Sequence, residues 1–149
     1  MKVKDIMTSP AVQVLETDSV HKAAEVMAAR GTGALVVSDK DNFIRGVVTD
    51  RDLVTMCIAP GFDPKTLPVG DCVAEDYAGS HPTTVKPDTE IEDAIELMRR
   101  AGVHRLPVTE DGLHAIGMLS FDDIANAVKH YLDEFLSLAA RYHHRKPGE

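Results

Sequence analysis

Gly46-Val-Val-Thr49-Asp-Arg-Asp52 returns later in the chain as Gly117-Met-Leu-Ser120-Phe-Asp-Asp123. Each is an apolar run ending in a hydroxyl residue, with an aspartate three positions on. Aliphatic residues leading into Ser/Thr-x-x-acid read as a strand that delivers the chain into the first turn of a helix. Sliding the sequence against itself by 71 positions carries the match back through Val37/Val108, Leu35/Leu106, Gly31/Gly102, Met27/Met98, Glu25/Glu96, Ala23/Ala94 and Val14/Val85 without a gap. A match of that length marks a duplicated unit.

Further upstream the offset becomes 66, where Val3-Lys-Asp5 resembles Val69-Gly-Asp71, so the second copy carries five extra residues, placed around Glu75 to Ser80. Each copy begins with a short strand, Ala11 to Leu15 or Thr83 to Lys86, and a turn at Asp18 or Asp88. An amphipathic helix follows, with Val20, Ala23, Ala24 and Met27 on one face in the first copy and Ile91, Ala94, Ile95 and Met98 in the second. Gly31 and Gly102 stop these helices. Strands are expected at Ala34 to Val37 with Ile44 to Val48, and at Arg105 to Val108 with Ile116 to Leu119, turning at Asp39 to Asn42 and Glu110 to Gly112. A closing helix starts after Thr49 or Ser120. The fold class is therefore α/β (α+β), two β-α-β-β-α repeats, and since roughly 55 residues make a marginal core, the repeats should pack on each other as a pseudo-two-fold pair. The reading divides the chain into repeat 1 (1–59), a linker (60–68) rich in proline and glycine, repeat 2 (69–130) and a C-terminal helix extension and tail (131–149).

A net charge of −8 argues against a surface that tracks nucleic-acid phosphates. With no apolar region behind Met1-Lys-Val-Lys-Asp5 and no long apolar stretch, neither export nor a membrane span is expected, and a cytoplasmic location is. Cys57 and Cys72 fit neither a C-x-x-C nor a zinc-finger spacing, so reduced thiols are expected, with a redox role as the alternative. Nothing sets a nucleophile beside a base, which argues against an enzyme and leaves no catalytic residue or catalytic cofactor to assign.

The repeated Ser/Thr-x-x-Asp carries two compatible readings. One is a capping box, in which the hydroxyl accepts from a free backbone N–H. The other is a phosphate seat, because a helix start offers unpaired N–H groups and partial positive charge, while the aspartate one turn in accepts ribose hydroxyls.

Two strand–helix–strand–strand–helix copies, each ending G-h-h-[ST]-x-x-D, with Gly102-Val-His-Arg-Leu-Pro-Val108 before the last hairpin, resemble the CBS domain family over about residues 3 to 130. The resemblance implies a regulatory pair whose clefts take an adenine nucleotide: AMP first, with ADP or ATP, and less often S-adenosylmethionine or NAD, as other possibilities. It implies Asp52 and Asp123 as ribose contacts, Thr49, Ser120, His104 and Arg105 as phosphate contacts, and the backbone near Val12 and Thr83 as the adenine edge. The first copy departs from the pattern, with Gly33 and Ala34 where the second has His104 and Arg105, so the two clefts should differ in affinity. Arg51 is answered by Asp122, which favours a monophosphate. Competing readings are a stress-associated scaffold that binds no ligand, and a redox or metal sensor.

The last helix is expected to run from Phe121 to about Tyr142, with Ile124, Val128, Tyr131, Leu132, Phe135, Leu138 and Ala139 at three- and four-residue steps. That stripe calls for a partner, and a homodimer is the simplest. A separate regulated protein is implied as well. His114, His130, His143 and His144 raise a metal site, but adjacent helical side chains diverge by about 100°, so a solvated tail is expected and no metal ligand is assigned.

Overall fold

The computed structural model describes residues 1–73, 82–143 and 147–148, so the five-residue insertion read at Glu75 to Ser80, and His144, lie outside the described residues. The elements run α1 (Val3–Ile6), β1 (Gln13–Leu15), α2 (Val20–Arg30), β2 (Ala34–Ser38), β3 (Ile44–Thr49) and α3 (Asp50–Leu53). A π-helical turn (Val54–Ile58) and a 3-10 turn (Val69–Cys72) come next, then α4 (Ile91–Ala101), β4 (Arg105–Val108), β5 (Gly117–Ser120) and α5 (Phe121–His143).

In the first copy β1 lies parallel to β2, and β2 antiparallel to β3. All five residues of β2 are buried, because its sheet is covered on both faces. Leu35, Val37 and Val48 join the core under α2, while Ala34 and Val47 join the core of the second copy. The helices end at Gly31 (φ 62°) and Gly102 (φ 69°), both left-handed caps, as the repeat predicts. Val20, Ala23 and Met27 are buried on α2 and Ile91, Ala94 and Met98 on α4, but Ala24 and Ile95 face solvent. Val26 and Leu97 pack half-buried against the two cores, so the buried stripe turns toward them and away from Ala24 and Ile95.

The second copy departs from the first at its opening strand. Thr83 to Lys86 forms no strand, only a single parallel bridge from Val85 to Val108, which is Val14 to Val37 shifted by 71 in both partners. In the first copy the Val36 N–H donates to the Val12 carbonyl at 3.0 Å. Pro107 stands where Val36 does and has no N–H, so Thr83 receives no such bond and the ladder stops.

The copies also exchange their leading segments. The Val3 N–H donates to the Thr89 carbonyl (2.9 Å) and that of Ile91 to Met1 (3.0 Å), while Val69 donates to Asp18 (2.7 Å) and Val20 to Leu67 (3.0 Å). Val3 accordingly sits in the core of the second copy, and Val69 and Cys72 in that of the first. Lys4 Nζ reaches Asp88 at 2.8 Å and holds that carboxylate below its usual range. Neither copy completes its core alone.

Candidate ligand-binding site

Thr49 and Ser120 stand where β3 and β5 run into α3 and α5, and both form the reciprocal contact that Ser/Thr-x-x-Asp allows. The Asp52 N–H donates to Thr49 Oγ1 (3.2 Å) and the Thr49 N–H to Asp52 Oδ2 (2.8 Å). The Asp123 N–H donates to Ser120 Oγ (3.1 Å) and the Ser120 N–H to Asp123 Oδ2 (2.8 Å). All four residues are half-buried. Each aspartate spends one carboxylate oxygen on the cap and keeps Oδ1 free of hydrogen bonds to the described residues. The Ser120 hydroxyl, an acceptor in the cap, retains its own proton to donate.

The two helix starts differ in what they leave open. At α3 the Asp50 N–H donates to the Gly33 carbonyl (2.9 Å) and the Arg51 N–H to Asp50 Oδ1 (2.9 Å), so every amide from Asp50 to Asp52 is engaged. At α5 the Phe121 N–H donates to the His104 carbonyl (2.8 Å), the counterpart bond, but a phenylalanine has no oxygen to turn on the next amide. The Asp122 N–H therefore has no partner among the described residues and is available to an anion.

A cavity of about 230 Å³ opens at this second helix start, between the copies. Arg105, Ser120, Asp122 and Asp123 line it from the second copy, and Val12 and the turn Gly31–Ala34 from the first. Arg105 pairs with Ser120 across the β4–β5 ladder and is half-buried. Of the residues singled out from the sequence, Asp123, Ser120, Arg105 and Val12 thus share one cleft. His104 is exposed and stacks on Phe121 with ring centroids 5.8 Å apart, and it does not line this cavity. Thr49, Asp52 and Thr83 do not line it either; they are the counterparts, by the repeat, of Ser120, Asp123 and Val12.

Sequence reasoning missed Thr8, Thr32 and Met118 in the cavity wall. Thr8 is placed by a pair of 2.9 Å backbone bonds to Met118, which clamp the N-terminal segment against β5. A Cβ at Gly117 would lie 2.7 Å from the Thr8 carbonyl oxygen, so only glycine permits that approach. Gly117→Ala is expected to lower stability by about 1–3 kcal/mol, as overpacking does, and to weaken any ligand of the cleft, both readable in urea melts with and without ligand.

Cys57 and Cys72 are free and fully buried in the first copy's core. Burial, helped by the neighbouring Cys57, pushes the Cys72 thiol up to about 11. A raised acid pKa leaves stability intact below the unfolded value near 9 and erodes it as pH rises through the folded one. The urea midpoint should therefore fall between pH 9 and 11, with part of that fall missing in Cys72→Ala. Native thiols should also react slowly with a disulfide reagent at pH 8, against the redox reading. Among the described residues no three His, Cys, Asp or Glu side chains gather as metal ligands.

Comparison with known proteins agrees with this architecture. The CBS domain model matches residues 3–58 and 73–130. The CBS domain-containing protein YhcV of Bacillus subtilis is 29% identical over 128 residues, covering 83% of this chain and 86% of its own. Hypoxic response protein 1 of Mycobacterium tuberculosis is 28% identical over 134 residues, covering 89% and 90%. A crystal structure of Hypoxic Response Protein I with two coordinated zinc ions superposes with a TM-score of 0.72 at 28% identity, covering 85% of this chain and 98% of that one. CBSX2 in complex with AMP superposes with a TM-score of 0.69 at 28% identity, covering 87% and 97%. With both copies matched and the pair fold shared, the chain belongs to the CBS domain family and carries two CBS domains in tandem.

Proposed function

We propose that this chain is a cytoplasmic regulatory sensor that binds an adenine nucleotide, AMP before ADP or ATP, between its CBS repeats and performs no chemistry on it. The observation that carries the reading is the convergence, on one cavity, of an uncommitted carboxylate oxygen (Asp123 Oδ1), an open helix-start amide (Asp122), a hydroxyl (Ser120) and a guanidinium (Arg105). Asp123 takes the ribose hydroxyls, Ser120 and Arg105 the phosphate, and the backbone at Val12 the adenine edge. Asp52, Thr49, His104 and Thr83 take the same roles in the pseudo-symmetric cleft, more weakly, since Asp50 already occupies the Arg51 amide there, the counterpart of the open Asp122 amide. The AMP complex of the similar CBSX2 supports the choice of ligand.

The sensor acts as a homodimer through α5. Phe121, Ile124, Val128, Tyr131, Phe135, Leu138 and Tyr142 alternate three- and four-residue steps over three heptads, the spacing of a coiled-coil seam. From Val128 onward those side chains stand 57–75% exposed. A seam of that period fits a helix with the same pattern, and a second copy supplies one.

A panel of AMP, ADP, ATP, NAD and S-adenosylmethionine in thermal melts of the purified chain tests the reading. The expected result is stabilisation by AMP above all. Flat curves for every ligand would favour the second reading, a ligand-free scaffold in which the two Ser/Thr–Asp pairs only cap helices. The fully engaged start of α3 speaks for that role in the first copy.

A further inference from the structure

We infer that Asp122 sets the number of phosphates the Asp123 cleft accepts, admitting one and rejecting a di- or triphosphate chain. The inference rests on the proposed binding of adenine nucleotides and goes beyond it by naming the residue that selects among them. Three observations point the same way. Asp122 lines the cavity and itself carries the open amide of the α5 start, so its carboxylate stands beside the proposed phosphate seat. The permanent charges in the cavity wall are one guanidinium, Arg105, against two carboxylates, Asp122 and Asp123, so a chain of several negative charges meets a wall that is already net negative. Asp50 does not line the cavity but packs against a residue that does, its Oδ2 lying 2.9 Å from where a Cβ of Gly33 would be, so a third carboxylate stands nearby.

The repeat supplies the internal contrast. At the position of Asp122 the first copy has Arg51, and at that of Phe121 it has Asp50, within the same Ser/Thr-x-x-Asp turn. The two helix starts have thus kept the ribose aspartate and inverted the charge beside it. A carboxylate in the first turn also satisfies the positive end of α5 itself, so it competes with phosphate oxygens for the same field.

Calorimetric titrations of AMP and ATP test this in an Asp52→Asn background, so that the heat reports the Asp123 cleft. Asp122 is exposed, and Asp122→Asn and Asp122→Arg should fold, which their ligand-free melts would verify. The background protein is expected to prefer AMP over ATP at least tenfold. Asp122→Asn should narrow that ratio, and Asp122→Arg should narrow it by tenfold or more, about 1.4 kcal/mol, chiefly by tightening ATP. An AMP-to-ATP ratio unchanged in Asp122→Arg would overturn the role of Asp122 while leaving nucleotide binding standing. Absence of binding by either nucleotide in the wild-type chain would instead sink the sensor reading, and this inference with it.

Discussion

Asp123→Ala should remove most of the stabilisation of this protein by AMP, leaving only what the weaker Asp52 cleft supplies. At 100 times its dissociation constant a ligand stabilises the folded state by about 2.7 kcal/mol, several degrees in the melting midpoint for a chain of this size. Removing the carboxylate takes away the ribose acceptor, and it also leaves the Ser120 N–H, 2.8 Å from Oδ2, without its partner. The ligand-free melt should therefore drop too, by about 1 kcal/mol, as for the loss of a helix cap. Asp123→Asn separates the two effects, because the amide oxygen can still accept from Ser120 while the charge toward the ribose is gone. The expected pattern is a near-normal ligand-free melt with most of the AMP shift lost. A full AMP shift in both variants would remove Asp123 from the site.

The second large effect is on assembly. Phe135→Glu combined with Leu138→Glu should convert the proposed dimer to a monomer of 16.2 kDa, measured by light scattering at micromolar concentration. In the single chain these side chains are 65% and 66% exposed, so the charges cost the fold itself little. In a helix pair, four such side chains account for about 6 kcal/mol or more of burial, enough to weaken association a thousandfold or more. A wild-type chain that is already monomeric would refute the α5 seam, and a dimer that survives both glutamates would move the interface elsewhere.

The repeat was legible because it is written in core residues. Offsets of 71 align Val14 with Val85 and Val37 with Val108, and the structure pairs both couples in the same parallel register. The capping geometry of Asp52 and Asp123 was legible because a Ser/Thr-x-x-Asp turn dictates its own local structure, and both turns close as capping boxes. What the sequence hid is long-range. No periodicity reveals that Val3 and Val69 are traded between cores, since the trade depends on where the leading segments cross. The loss of the Thr83 strand turns on a single missing N–H at Pro107, 24 positions away. Thr8 joins the cavity only because Gly117 lets a backbone carbonyl approach. The unequal helix starts were half visible: Arg51 against Asp122 could be read directly, but that Asp50 would engage the Arg51 N–H and leave its counterpart open required coordinates.

The most direct test of the account is a crystal structure of the protein grown with saturating AMP. The account predicts nucleotide between the two repeats, ribose hydroxyls within about 3 Å of Asp123 Oδ1 and the phosphate beside Ser120, Arg105 and the Asp122 N–H. A cleft left without nucleotide under those conditions, or AMP bound away from Asp123, would contradict it.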